Sequence, residues 1–161
     1  MLKNKICSSR RELAETVTKW QLNGEKVVFT NGCFDLLHPG HVTYLEQAKS
    51  LGNRLIIGVN TDASVSKLKG EHRPIQSQQA RCMVLAALES VDALVLFNED
   101  TPKELIETVK PNILVKGGDY TIETIVGADF IMKNGGEVKV IPFLDGYSTT
   151  AIEERILKAK S

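Results

Sequence analysis

Short apolar runs alternate along this chain with longer segments in which apolar residues recur every three or four positions. A continuous apolar run of a few residues is typical of a buried strand, and the longer spacing is typical of a helix with one buried face. The runs predict five strands, at 26–29, 55–59, 91–97, 113–115 and 138–141. The amphipathic segments predict helices within 9–24, 39–52, 77–89, 101–109, 122–133 and 150–159.

The alternation of strands and helices implies right-handed crossovers and a parallel sheet covered by helices on both faces. We therefore predict an α/β fold, a Rossmann-like doubly wound sheet of five parallel strands in the order 3-2-1-4-5. In that order the winding reverses between the first and fourth strands, and ligands bind outside their carboxyl ends. Those ends carry 31–41 and 116–120. A flavodoxin-like order would instead bring 98–103 to the crevice.

The length of the chain favours one domain. With 161 residues and 42% hydrophobic content it can build a single core, so we predict one domain over 1–161, in which 1–24 form an N-terminal helical extension at the edge. No apolar run approaches the ~18 residues of a membrane span, and 1–10 lack the apolar centre of a signal peptide. The three cysteines show no CxxC spacing, which disfavours a disulfide framework or a zinc site. These features predict a cytoplasmic protein.

The charges balance, with 20 Lys plus Arg against 20 Asp plus Glu. Without an overall positive field, binding to nucleic acid or to an anionic membrane is disfavoured, and any anion site must be local. Basic residues do cluster within 63–76, where Lys67, Lys69 and Arg73 follow neither a helical nor a strand period. We predict that this segment is a mobile loop.

The stretch between the first strand and the second helix carries the strongest chemical signal. Pro39 suits the first position of a helix, because its missing N–H would have no partner there. His38 and His41 lie three residues apart and therefore share one face of the first turn. A helix start presents free N–H groups and the positive end of the helix dipole, so it is a candidate anion site. Asn31 and Gly32 allow the preceding backbone to pass close to a ligand.

A second helix start offers hydroxyl groups. Thr150 and Glu153 are typical of a capping box at the start of the last helix, and Ser148 and Thr149 precede it as candidate donors to an anion. The chain has neither a G-x-x-x-x-G-K-[ST] loop nor a G-x-G-x-x-G turn. A P-loop kinase and a common dehydrogenase are therefore disfavoured.

Four motif blocks, in order along the chain, resemble one known superfamily. The first is Thr30-Asn31-Gly32-Cys33-Phe34-Asp35 with His38-Pro39-Gly40-His41, and the others are Lys69-Gly70 with Arg73-Pro74, Lys116-Gly117-Gly118-Asp119-Tyr120, and Gly146-Tyr147-Ser148-Thr149-Thr150. Over 25–157 the chain resembles the nucleotidyltransferases marked by His-x-Gly-His. Within them it is most similar to bacterial D-glycero-β-D-manno-heptose 1-phosphate adenylyltransferases, which occur alone or fused to a sugar kinase.

The resemblance implies transfer of AMP from ATP to heptose 1-phosphate, giving ADP-heptose for the lipopolysaccharide core or another surface glycan. It implies that the catalytic residues are His38 and His41, as hydrogen-bond donors to the triphosphate, and Lys69, which the loop brings against the phosphates. Mg²⁺ is expected with ATP, held by phosphate oxygens and water, with no protein ligand. ATP and a sugar 1-phosphate are the expected partners, and a homodimer is the expected assembly.

The other predicted contacts follow from the same motif blocks. Arg81 matches a family arginine that helps to hold phosphate, Asp119 is a candidate acceptor for ribose or base, and Lys116 could instead contact the sugar phosphate. The predicted nucleotide contacts are Thr30, Asn31, Gly32, Phe34, Gly40, Arg81, Lys116, Gly118, Asp119, Ser148 and Thr149. The predicted contacts with the second substrate are Cys33, Asp35 and Lys67.

Other interpretations exist, both for the single residues and for the function of the chain. His38 and His41 could be a surface pair, or metal ligands together with Asp35, and the basic segment 63–76 could simply be solvated. A cytidylyltransferase acting on glycerol 3-phosphate or a phosphoamine alcohol would share the fold and the motifs. A nucleotide-binding module without turnover would share the cavity as well.

Overall fold

Residues 2–161 are described by a computed structural model with one parallel sheet. Its strands are β1 (Ile6–Cys7), β2 (Val27–Gly32), β3 (Arg54–Asn60), β4 (Ala93–Phe97), β5 (Ile113–Gly117) and β6 (Glu137–Ile141). The helices are α1 (Arg10–Leu22), α2 (Pro39–Ser50), α3 (Asp62–Lys69), α4 (Gln78–Ala87), α5 (Lys103–Val109), α6 (Ala128–Lys133) and α7 (Thr149–Ala159). Short 3₁₀ turns cover Leu2–Lys5 and Ile122–Thr124.

The strand order is β1-β4-β3-β2-β5-β6, and every pair is parallel. The five predicted strands therefore keep the predicted relative order, and the flavodoxin-like alternative is wrong. The predicted strand count needs correction, because Ile6–Cys7 adds a sixth strand beside β4. Two residues are too few to produce a period in the sequence. Because β2 pairs with both β3 and β5, the winding reverses at β2 and opens a crevice at its carboxyl end.

Helices cover both faces of the sheet. Because successive residues of a strand point to opposite faces, neighbouring residues enter different core clusters. Val28 faces a core cluster with Leu45 of α2 and Leu85 of α4, whereas Phe29 faces a second cluster with Leu13 of α1. All five side chains are fully buried. Burial of a side chain of this size contributes roughly 1.5–3 kcal/mol, so both layers help to fix the ends of the strands.

The N-terminal segment is part of this core. The Ser9 hydroxyl caps α1 by accepting a hydrogen bond from the Glu12 N–H at 3.2 Å, as the sequence predicts. Leu13 and Val17 of α1 are fully buried in the cluster that contains Phe29. The helix therefore packs over the sheet face and does not lie at the edge of the domain as predicted.

The segment predicted as a mobile loop is largely ordered by contacts. Its first half is helix α3, which the Thr61 hydroxyl caps by accepting from the Ser64 N–H at 3.2 Å. The sequence shows no period there because α3 is short and buries only Ser64 and Val65. The second half is also held, since the Ser66 hydroxyl donates to the Arg73 carbonyl at 2.5 Å. Across the described residues, no helix has the length and apolar character needed to cross a membrane.

Candidate active site

A cavity of about 350 Å³, here called the first cavity, lies at the carboxyl ends of β2 and β5. It is bounded by the loop after β2, the start of α2 and the segment that leads into α7. Among the predicted site residues, those on its wall are Asn31, Gly32, Cys33, Phe34, Asp35, His38, Gly40, His41, Lys69, Lys116, Ser148 and Thr149. The fold thus brings the sequence-distant motif blocks together at the predicted switch point.

Two helix N-termini open onto the first cavity. Pro39 is the first residue of α2, as predicted, and His38 precedes it in extended conformation. The cap of helix α7 is Ser148, two residues before the predicted cap at Thr150, and its hydroxyl accepts from the Ala151 N–H at 3.0 Å. Both helix starts place positive dipole ends at the cavity, which favours an anionic ligand.

The two imidazoles are uncharged at neutral pH. The His38 N–H donates to His41 Nδ1 at 3.3 Å, so neutral His41 carries its proton on Nε2. The rings lie 3.9 Å apart between centroids. Burial, the neighbouring His38 and the Lys69 charge lower the pKa of His41 to about 4, and burial lowers the pKa of His38. Each ring can therefore offer a neutral N–H donor to a ligand.

His38 also carries an unsatisfied polar atom. Its Nδ1 is buried and has no hydrogen-bond partner within 2–161. Buried polar atoms are nearly always paired, and this one lies against the first turn of α2, on the side of the His41 N–H. The ring lies over Gly40, where an added Cβ would come within 2.9 Å of Nδ1. Glycine between the two histidines therefore leaves room for the His38 ring to face the cavity.

Two lysines connect the first cavity to a neighbouring one of about 600 Å³, the second cavity. Lys69 at the end of α3 and Lys116 near the end of β5 line both cavities. Neither ammonium group forms a salt bridge or hydrogen bond with another described residue. Burial lowers the pKa of Lys116, whose Nζ lies 5.4 Å from the centroid of the Tyr120 ring. Two ammonium groups are thus available where ligands in the two cavities would meet.

Sequence reasoning missed an aromatic cover over the first cavity. The Phe143 ring lies against the Gly117 backbone, where an added Cβ would come within 2.7 Å of its Cε1. Tyr147 faces His38, with the ring centroids 6.4 Å apart. The cavity-wall residues absent from the prediction are Tyr44, Gly117, Tyr120, Phe143, Leu144 and Tyr147. The only signal for Phe143 and Leu144 is their place between the last strand and the last helix start.

Several predicted contacts lie off both cavities: Thr30, Lys67, Arg81, Gly118 and Asp119. Lys67 pairs with Asp100 on the surface, which leaves Lys69 as the lysine of α3 on the cavity wall. The Arg81 side chain is fully buried and donates to the Cys33 carbonyl at 2.6 Å and to Asp62 at 2.9 Å. In this structure Arg81 thus fixes the loop after β2 from behind, and its phosphate contact stays a prediction.

Asp35 lies on the wall of the first cavity, but its carboxylate already accepts hydrogen bonds from other residues of the protein. Its carboxylate accepts from Arg73 Nε and from the Ile75 and Gln76 N–H groups, all at 2.8 Å. Burial alone would raise its pKa, yet those two N–H groups and the guanidinium bring the pKa below its ordinary value.

Burial raises the pKa of the Cys33 thiol, which disfavours a nucleophilic role. No group of three or more metal-ligating side chains occurs among the described residues.

Comparison with known proteins places this geometry in a family. The model of the cytidylyltransferase-like family matches 29–155, which takes in both helix starts and both lysines. The chain belongs to the cytidylyltransferase-like family of nucleotidyltransferases. The family match leaves β1 and α1 outside it.

Curated relatives and solved structures agree with the family match. The chain is 61% identical over 147 residues to the bifunctional protein HldE of Marinomonas sp. (strain MWYL1), and 53% identical over 147 residues to that of Geobacter sulfurreducens. Each alignment covers 91% of this chain but only 31% and 30% of those proteins, so the chain spans about a third of their length.

Two solved structures are similar. A lipopolysaccharide core biosynthesis protein from Thermoplasma volcanium GSS1 shares 31% identity at a TM-score of 0.61, covering 78% of this chain and all of that one. Pantoate-beta-alanine ligase from Francisella tularensis, at 16% identity and a TM-score of 0.60, covers 92% of this chain and 75% of that one. The ligase shares the fold alone.

Proposed function

We propose that this chain transfers AMP from ATP to D-glycero-β-D-manno-heptose 1-phosphate, giving ADP-heptose and pyrophosphate for lipopolysaccharide core or surface glycan synthesis. The observation that carries the proposal is the convergence of two helix N-termini and two neutral imidazoles on one cavity, next to two unpaired lysines. The heptose substrate is favoured by the motif resemblance, by relatives named HldE and by similarity to a lipopolysaccharide core biosynthesis protein.

In the proposed reaction, an oxygen of the sugar phosphate attacks the α-phosphorus of ATP. The new P–O bond forms as the bond to the leaving pyrophosphate breaks. The second pKa of a phosphate monoester lies near ~6, so the attacking group is largely ionised at neutral pH and needs no strong base. What the site must supply is positioning and stabilisation of charge on the phosphoryl oxygens. His38 and His41 then act as neutral N–H donors, because burial lowers the pKa of both rings, that of His41 to about 4, so that neither is a cation or a strong base at neutral pH.

The two cavities suggest how the substrates are arranged. We assign ATP to the first cavity, where the triphosphate would meet the starts of α2 and α7. The sugar phosphate then occupies the second cavity, whose wall includes Asn60, Asp100 and Thr101 as polar groups for sugar hydroxyls. Lys69 and Lys116, which line both cavities, would lie beside the reacting phosphates. ATP enters as its Mg²⁺ complex, with the ion held by phosphate oxygens and water.

The test is a matrix of pyrophosphate release with ATP or CTP, each combined with heptose 1-phosphate or glycerol 3-phosphate. We expect release with ATP and heptose 1-phosphate and little with the other three pairs. Release with CTP and glycerol 3-phosphate would establish the cytidylyltransferase alternative. If the wild-type chain binds ATP but gives no product with any acceptor, and if that binding survives His41→Ala, the chain is a module without turnover.

Two further parts of the proposal concern the protein as a whole. Small domains of this superfamily are often homodimers, so we propose a homodimer and expect light scattering to give twice the mass of one chain. We also propose that the protein acts in the cytoplasm, where ATP and sugar phosphates are available. Fractionation of cells that express the full chain tests this location.

A further inference from the structure

Helix α7 is attached to the domain differently from the other helices. Each of α1–α6 buries at least two residues, whereas α7 buries none. Its apolar Ile156 and Leu157 are 51% and 66% exposed. Hydrophobic packing therefore does little to decide where α7 sits. Yet α7 brings Ser148 and Thr149 to the first cavity, so something else must hold its N-terminus there.

Arg73 joins α7 to the loop after β2. Its Nε donates to Asp35 at 2.8 Å, and its Nη1 donates to Glu153 of α7, also at 2.8 Å. The Asp35 side chain is 1% exposed and the Arg73 side chain 15% exposed, so this ion pair is shielded from water. Apart from bonds to its own flanking residues Ser148 and Ser161, α7 has one other side-chain hydrogen bond with the rest of the described chain, a long one from the Thr149 hydroxyl to the Leu36 carbonyl at 3.5 Å.

Arg73 is itself held in place by its surroundings. Its N–H donates to the Gly70 carbonyl at 3.1 Å, and its carbonyl accepts from Ser66 in α3. Asp35 is fixed in turn by the Ile75 and Gln76 N–H groups. The guanidinium is thus held on its own side by several hydrogen bonds, with one edge on the buried Asp35 carboxylate and the other on Glu153 of α7. A planar guanidinium can serve two carboxylates at once, which a single ammonium group does less well.

We infer that Arg73 is a positioning residue, which through Glu153 holds the start of α7 opposite the start of α2 and so completes the anion site. The inference rests on the proposed function, because it assigns the triphosphate to that site. Arg73 lines neither cavity and can act on the first one only through the two residues that it holds, Glu153 of α7 and Asp35 on the cavity wall. Loss of its contact with Glu153 alone should therefore weaken ATP binding and leave the chemistry of bound substrate nearly unchanged.

The discriminating variant is Glu153→Gln, since it releases α7 and leaves the buried Arg73–Asp35 pair intact. We expect KM for ATP to rise about tenfold, roughly the effect of losing one charge-assisted hydrogen bond, with kcat within about twofold of wild type. Hydrogen exchange of 149–159 should accelerate, while exchange of α2 and the melting temperature stay close to wild type. Glu154→Gln, at the neighbouring exposed position, is the matched control and should change none of these.

Arg73→Lys tests whether one side chain must contact both carboxylates. A lysine that keeps the ion pair with Asp35 should lose the contact with Glu153, so this variant should show the same KM for ATP and the same exchange of 149–159 as Glu153→Gln. The double variant should show no larger change than either single variant. Glu153→Gln with wild-type KM and wild-type exchange of 149–159 would overturn the inference, and so would an equal loss in kcat. If wild type releases no pyrophosphate with any substrate pair, the proposed function fails. Faster exchange of 149–159 in Glu153→Gln alone would then still establish that the contact between Arg73 and Glu153 tethers α7.

Discussion

The first cavity is bounded by two helix starts that are built in opposite ways. Helix α2 is anchored by Tyr44, Leu45 and Ala48, all buried in the core beneath the sheet. Helix α7 has no buried residue and depends on the ion pair between Arg73 and Glu153. The two histidines assigned to catalysis lie at the start of the anchored helix, where packing holds them to a fixed geometry. The tethered helix can adjust as a ligand enters.

The charged groups at the first cavity are also unevenly placed. The α2 side offers two neutral rings and a helix dipole, and the net positive charge near the phosphates comes from Lys69 and Lys116. Neutral donors on a rigid helix stabilise developing negative charge without a large cost of burying a cation. The difference between the two helix starts can be tested by changing each in turn.

The largest expected effect is on stability, at the anchor of α2. Leu45 is fully buried, so Leu45→Ala should lower the free energy of unfolding by about 2–5 kcal/mol. Ile156→Ala on half-exposed α7 should change it by no more than about 0.5 kcal/mol. Urea denaturation of both variants measures the difference. Equal losses would mean that α7 is packed as firmly as α2.

The next effect is on turnover, at the start of α2. His41→Ala removes a preorganised donor and should lower kcat by ~100-fold or more. His72 is exposed and lines neither cavity, so His72→Ala is the matched control and should keep full activity. Steady-state pyrophosphate release provides the comparison. A His41→Ala enzyme with nearly wild-type kcat would remove His41 from the mechanism.

A smaller effect is expected at the start of α7. Ser148→Ala removes a helix cap worth about 1 kcal/mol, and since α7 is unpacked this should appear as a roughly fivefold higher KM for ATP with little change in melting temperature. Ser77 caps α4 with the same kind of bond, to the Ala80 N–H. Because α4 is part of the core, Ser77→Ala should instead lower the melting temperature and leave KM unchanged. The opposite pattern would contradict the proposed difference between the helices.

A further expected effect is the pH dependence of stability. The pKa of His41 is about 4 in the folded protein, against an ordinary value of 6.5. Between these values the unfolded chain binds more protons, so His41 makes no difference above the ordinary value and destabilises the fold progressively as pH falls towards about 4. His41→Ala should therefore gain melting temperature relative to wild type as pH is lowered from about 7.5 to about 4.5. A difference independent of pH would show that His41 titrates normally.

Much of this architecture could be predicted from the sequence because local pattern dominates it. The buried strands are continuous apolar runs, and Pro39 and its histidines mark the start of α2 by local chemistry alone. These features fix the switch point and hence the place of the first cavity. The short strand Ile6–Cys7 was not predicted, because its pairing with β4 is a long-range contact that leaves no local period in the sequence.

The rest depends on contacts that no local pattern reports. Arg81 looks like one more helical arginine in the sequence, yet it is buried among acceptors that come from distant loops. Glu153 fits a capping box by spacing, but its carboxylate pairs with Arg73 instead. Phe143 covers the cavity only because the chain after β6 folds back over Gly117. Each case is decided by tertiary structure.

The most direct test of the account is a crystal structure with a non-hydrolysable ATP analogue and Mg²⁺. We predict that the triphosphate lies between the starts of α2 and α7, within hydrogen-bond distance of His38 and His41. A triphosphate bound elsewhere, with both imidazoles more than about 5 Å from any phosphate oxygen, would contradict the account, because no hydrogen bond spans that distance.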